Sequence, residues 1–128
     1  MPILHEILHA LRRLQQAREP TTIDLLALPF GPGDEVRLLE TLGRGEIAAR
    51  LHALGESEIW ETDYPGVWVV EHKNVEGERV TLQVEVARVP EILLSPLEDL
   101  AESIDRLEGH LAVASTDTGS IDPGGQDG

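Results

Sequence analysis

Between Glu46 and Val89 the chain reads as strand after strand, with no gap long enough to hold a crossover helix. Ile47, Ala49, Leu51 and Ala53 alternate with Glu46, Ala48, Arg50 and His52, the two-residue period of a half-buried strand. Gly55-Glu56-Ser57 is a turn, a second strand covers about 58–63, and Tyr64-Pro65-Gly66 breaks it. A third strand runs from Val67 to Lys73, and Asn74 to Gly77 make a hairpin loop. The fourth, Arg79–Val89, sets Val80, Leu82, Val84 and Val86 against Thr81, Gln83, Glu85 and Ala87. Parallel neighbours need connections of a dozen residues or more, so these short loops dictate a four-strand antiparallel meander.

Helical periods flank the strands. Ile3, Leu4, Ile7, Leu8, Leu11 and Leu14 form one apolar stripe on a helix that Pro20 ends. Thr22 to Phe30 is short, apolar and fenced by prolines, which predicts an extended or single-turn connector. Asp34 caps a helix through about Leu42, with Val36, Leu38, Leu39 and Leu42 inward and Gly43 at its stop. Ser95-Pro96-Leu97-Glu98 combines a Ser cap, Pro at the first position and Glu three residues after the cap. The helix that follows groups Leu97, Leu100, Ala101, Ile104 and Leu107 and stops at Gly109. The reading is one α+β domain over residues 1–113, with helices packed on one face of the sheet. Residues 114–128, mostly Ser, Thr, Asp, Gly, Pro and Gln toward the end, are too poor in apolar surface to fold and form a disordered acidic tail.

Charge narrows the functions. The 128 residues carry 24 acids against 10 bases, a formal charge of −14, which argues against a nucleic-acid or anionic-membrane surface. More than half of that excess falls after residue 90, where Arg106 is the lone base. The absence of Cys excludes a disulfide framework, thiolate-held zinc or iron–sulfur clusters and a thiol nucleophile. The apolar runs are too short for a membrane span, and the N-terminus lacks signal-peptide character, so a cytoplasmic location is expected.

One segment spells a catalytic motif. His5-Glu6-Ile7-Leu8-His9 has the H-E-x-x-H spacing that places two imidazoles on one helix face to ligate zinc, with the Glu polarising a bound water. A small zinc peptidase built on His5, Glu6 and His9 is therefore an alternative function. Against it, no later segment carries a recognised third ligand, and the core-facing stripe accounts for the segment without metal. His52, His72 and His110 are isolated, no Ser stands in a nucleophile-elbow context, and Leu42-Gly43-Arg44-Gly45 lacks the lysine of a phosphate loop. The expectation is a protein without catalytic residues or cofactor.

Three of the four aromatic residues, Trp60, Tyr64 and Trp68, crowd into nine positions around the Pro-Gly break. The two indoles are core residues or, across the tight turn, approach each other on one face as an aromatic hot spot for a protein partner.

These stretches, taken in order, resemble the HupH/HyaF hydrogenase-expression proteins. The likeness rests on Leu42-Gly-Arg-Gly-Glu-Ile47, Ile59-Trp-Glu-Thr62, Pro65-Gly-Val-Trp-Val-Val70 and Val84-Glu-Val86 leading to Val89-Pro-Glu-Ile92. It covers roughly residues 22–95, about the C-terminal conserved region of that family. Larger members have more sequence upstream, so this chain looks like a minimal version. The resemblance implies accessory work in nickel–iron hydrogenase maturation: a chaperone for an immature subunit, foremost the iron–sulfur small-subunit precursor, or a partner of other hydrogenase accessory proteins. Gly43, Gly45, Glu46, Glu61, Thr62, Pro65, Gly66, Trp68 and Glu85 match its pattern. Trp60, Glu61, Trp68 and Glu71 are candidates for the contact surface. The acidic face of the last helix, with Glu98, Glu102 and Asp105, is the candidate for steering a basic partner. A homodimer through a sheet edge or the first helix is a further possibility.

Overall fold

The sheet has five strands, not four. In the computed structural model, which describes residues 1–118, β1 (Thr21–Asp24), β2 (Ala48–His52), β3 (Glu56–Glu61), β4 (Val67–Lys73) and β5 (Arg79–Val86) are arranged in the order β1-β5-β4-β3-β2, antiparallel throughout. The expected meander is β2 to β5. The added strand comes from the connector after Pro20, where Thr21 pairs with Val86 and Ile23 with Val84. Four residues at a sheet edge carry almost no period of their own, and only the distant partner makes them a strand. Asp24 then turns the chain, its carboxylate accepting the Leu26 N–H at 3.0 Å to start a 3₁₀ turn over Leu25–Ala27.

Helices α1 (Pro2–Ala17) and α2 (Asp34–Leu42) cover one face. Ile3, Ile7 and Ala10 from α1 and Leu38 and Leu42 from α2 join Ile23, Trp60, Val67, Val69, Leu82, Val84 and Val86 in a single cluster. Burying each large aliphatic side chain there contributes about 1.5–3 kcal/mol. The α1 stripe is rotated from expectation, with Ala10 buried while Leu8 faces water. Val36 is likewise exposed on α2. Asp34 does not cap α2. Gly33, in the left-handed region at φ 82°, occupies that position, and Asp34 opens the first turn, accepting the Gly31 N–H at 2.8 Å and pairing with Arg37.

The opposite face holds Ile59, Trp68, Val70, Ser57 and Glu85, all buried. The chain leaving β5 is fastened to this side. Trp68 Nε1 donates to the Ala87 carbonyl at 3.1 Å, the Glu91 N–H donates to the Glu85 carboxylate at 2.9 Å, and Pro90 is fully buried.

Residues 1–92 form one compact unit, and a second begins at Leu93. The second is built on α3 (Leu97–Thr118), which starts where expected but runs through Gly109 instead of stopping there. The first residues of the expected tail, 114–118, are thus helical, and residues 119–128 lie outside the described residues. No helix among the described residues is long and apolar enough to cross a membrane.

Candidate partner-binding surface

The residues that carry the family resemblance meet at one corner of the sheet. Leu42 ends α2, and Gly43 takes φ 71° and donates to the Leu39 carbonyl at 2.9 Å. The chain then lies tight along the end of β3. Asp63 N–H donates to the Leu42 carbonyl at 2.8 Å, Gly45 N–H to the Glu61 carbonyl at 2.7 Å, and Glu61 N–H to the Ile47 carbonyl at 2.9 Å. A Cβ at Gly45 would stand 2.6 Å from the Thr62 carbonyl oxygen, which is why this approach needs glycine.

Thr62 is the pivot of the next turn. Its buried hydroxyl donates to the Val67 carbonyl at 2.9 Å and accepts the Tyr64 N–H at 3.1 Å. Pro65 with Gly66 at φ 92°, closed by the Val67 N–H on the Tyr64 carbonyl at 2.9 Å, is the type II arrangement. Glu61 accepts the Gly66 N–H at 3.3 Å, and Glu85 is cross-strand partner to Trp68. Every one of these contacts is internal. The matching residues build the fold's corner, and sequence reading alone had no way to separate that role from binding.

The two indoles do not meet. The β3–β4 register pairs Trp60 with Val69 and Glu61 with Trp68, so Trp60 and Trp68 fall on opposite faces of the sheet. Pairing flips the face at each step along a strand, and two residues whose partners differ by one position cannot share a side. Trp60 is 6% and Trp68 5% exposed. The Arg44 guanidinium lies 3.9 Å from the Trp60 ring centroid and closes that indole from above. Of the four candidates around the break, Trp60 and Glu71 share the helix-covered face, while Glu61 and Trp68 share the other.

Glu71 belongs to an ion-pair row on the outer part of the helix-covered face. Arg79 reaches Glu71 and Glu35, each at 3.0 Å, and Arg50 approaches Glu56 at 3.6 Å and Glu58 at 3.9 Å. Burial works against the charge of Arg79, but the hydrogen bonds and charges of Glu35 and Glu71 outweigh it and raise its pKa. At Asp34 the Gly31 N–H, then Arg37, hold the carboxyl below its ordinary value. On the second face Ser57 Oγ lies 2.6 Å from His72 Nδ1, a polar pair inside the sheet that the sequence did not announce.

His5, Glu6 and His9 are exposed on α1, and among the described residues no set of three or more His, Asp or Glu is gathered to hold a metal ion. A cleft of about 480 Å³ opens beside the start of α1, lined by Met1, Ile3, Glu6, Leu28, Phe30 and Arg37. Of the motif it takes in Glu6 alone. Glu98, Glu102 and Asp105, by contrast, are exposed on α3. They form, with Asp99 and Glu108, an acidic helix surface relieved only by Arg106.

Comparison with known proteins places the whole arrangement. Residues 1–114 match the family described as HupH hydrogenase expression protein, C-terminal conserved region. That span is wider at both ends than the resemblance read from the motifs. The chain is 32% identical over 108 residues to hydrogenase expression/formation protein HoxQ of Azotobacter vinelandii, taking in 83% of this chain and 38% of that protein. It is 31% identical over 107 residues to hydrogenase-1 operon protein HyaF of Escherichia coli K12, taking in 84% and 37%. The chain therefore spans less than two-fifths of the length of these curated relatives. The solved structure of hydrogenase expression protein HupH from Thiobacillus denitrificans ATCC 25259 superposes with a TM-score of 0.84 at 43% identity, covering 87% of this chain and 92% of that one. With its sequence and its fold agreeing over the same region, the chain belongs to the HupH hydrogenase expression protein family, matching its C-terminal conserved region.

Proposed function

We propose that this protein serves hydrogenase maturation as a non-catalytic holding protein that binds an immature hydrogenase subunit, in the first place the iron–sulfur small-subunit precursor. The observation that carries this reading is the family match over residues 1–114, joined to relatives whose names are hydrogenase expression or formation proteins. The precursor would be met in the cytoplasm, before any export.

Chemistry supports α3 as the first point of encounter. Glu98, Glu102 and Asp105 project an exposed acidic surface, which attracts a basic precursor segment over a distance of about a Debye length, ~8–10 Å at ordinary salt. Glu61 and Glu71, half-buried at the rim of the sheet, are contact residues in the second instance, and Trp60 and Trp68 hold the strands that present them.

The test is association with purified small-subunit precursor, followed by surface binding kinetics. Binding that weakens with salt, and an on-rate lowered more by Glu98→Lys, Glu102→Lys and Asp105→Lys together than by removing residues 119–128, is the expected result. Failure to bind either hydrogenase subunit precursor overturns the proposal.

A further inference from the structure

Glu6, the acid of the H-E-x-x-H segment, lines the cleft of about 480 Å³ between the start of α1, the Leu28–Phe30 stretch and the start of α2. Ile3 in its lining belongs to the core, and Leu28 and Phe30 pack half-buried against that core, so apolar surface opens to water here. The wall is held by its own backbone. Leu28 N–H donates to the Leu25 carbonyl at 3.3 Å and Phe30 N–H to the Leu28 carbonyl at 2.8 Å, with Pro29 between them. A cleft fixed in this way has little left to order when something enters it. It is built wholly within residues 1–37, so its walls are set without reference to α3. Of the charged side chains, Asp34 and Arg37 satisfy each other, and the second Asp34 oxygen accepts the Gly31 N–H at 2.8 Å. The Glu6 carboxylate has no hydrogen-bond or ion-pair partner among the described residues. One acid is left over, on a chain whose charge of −14 already repels anions.

We infer that the cleft receives a basic, apolar segment of a partner polypeptide, with a large apolar side chain against Ile3, Leu28 and Phe30 and a neighbouring Lys or Arg on Glu6. The rim decides for a polypeptide over a small molecule. A small ligand buries about 70% or more of its surface in its site. Here the Arg37 side chain is 67% exposed and Glu6 is open to solvent, which suits side chains of a longer chain whose backbone stays in water. Charge decides for a cation. A second copy of the chain, itself at −14, and acidic segments in general meet an unpaired carboxylate of like sign, whereas Lys or Arg satisfies it. The apolar neighbour then completes the burial of Phe30, which makes that ring the anchor of the contact. The cleft takes such a segment whether or not it comes from a hydrogenase precursor.

Two-dimensional NMR of the full chain tests it, with a short blocked peptide carrying two leucines followed by two arginines as the probe. The expected result is a set of saturable shifts at Ile3, Leu28 and Phe30. Glu6→Gln should weaken binding about two- to fivefold, the range of an exposed ion pair. Glu6→Lys should reverse the preference, so that the same peptide with glutamates in place of its arginines becomes the better ligand. Phe30→Ala should weaken binding about tenfold, with the fluorescence of Trp60 and Trp68 reporting that the fold is kept. Glu6 is exposed, so its variants test the contact even if Phe30→Ala does not fold. No shift in the cleft at millimolar peptide, equal binding of the arginine and glutamate peptides, or indifference to Glu6→Lys would each overturn the inference. So would the same shifts appearing on raising protein concentration alone, which would assign the cleft to a second copy.

Discussion

Glu58 and Glu71 stand directly opposite each other on β3 and β4, two like charges in a cross-strand pair. Such a pairing is unfavourable unless cations serve it. Here Arg79 holds Glu71 at 3.0 Å, and Arg44 and Arg50 approach Glu58 at 3.9 Å each. Arg79 also ties Glu35 of α2 to the sheet, so one guanidinium joins helix and strand.

Removing that guanidinium should therefore cost more than an ordinary surface pair. Arg79→Ala is expected to destabilise the fold by about 1 kcal/mol, the half-exposed setting tempering the larger value of a fully buried pair. Adding Glu71→Gln should recover part of the loss. Urea unfolding of the two single variants and the double variant measures the coupling, and strict additivity would contradict it.

The glycine corner gives a sharper expectation. A Cβ at Gly45 meets a backbone oxygen at 2.6 Å, whereas one at Gly43 meets the Asp63 side chain at 2.0 Å with φ at 71°. Gly45→Ala should lower stability by about 2 kcal/mol or more, because a backbone atom cannot swing aside. Gly43→Ala should be partly relieved by Asp63→Ala and Gly45→Ala should not. Thermal melts of the two glycine variants, each with and without Asp63→Ala, decide the point.

Asp34 sets a pH dependence. Its carboxyl is held below the ordinary value of 3.8 by the Gly31 N–H and Arg37. A depressed folded pKa means that the unfolded chain binds the proton first. The stabilisation is whole above the ordinary carboxylate range and is lost as pH falls through the folded value. The stability gap between the native protein and Asp34→Asn should thus be widest near neutrality and close in acid. A gap unchanged from neutral to strongly acidic pH would contradict this.

In α3, Gly109 sits in the middle of a helix with nothing within 4 Å of where a Cβ would stand. Gly109→Ala should strengthen that helix by about 1 kcal/mol. Far-ultraviolet circular dichroism should show the helical signal persisting to higher temperature.

Much of this fold was legible because its parts are local. The alternation of Leu82, Val84 and Val86 and the turn at Pro65-Gly66 each express themselves within a few residues. What escaped was long-range or a matter of register. Thr21–Asp24 is a strand only because Val84 and Val86 lie beside it. The separation of Trp60 from Trp68 depends on a single step of pairing that no composition reveals. Gly109 reads as a helix stop, yet a favourable stretch on either side carries the helix through it. The candidate site divided the same way. The acidic face of α3 could be read from spacing, whereas the motif residues could not be assigned to architecture until their hydrogen bonds were known.

The pairing of β1 with β5 has a consequence for how the chain comes into being. As it leaves the ribosome, α1 and β1 emerge well before β5, the strand against which Ile23 is to lie. The meander of neighbouring hairpins can close early, each loop being short, but the sheet's outer strand must wait for a closure spanning about sixty residues. During that interval Ile3, Ile7 and Ile23 have no finished surface to cover. Its yield should therefore respond to translation speed through the region encoding β5.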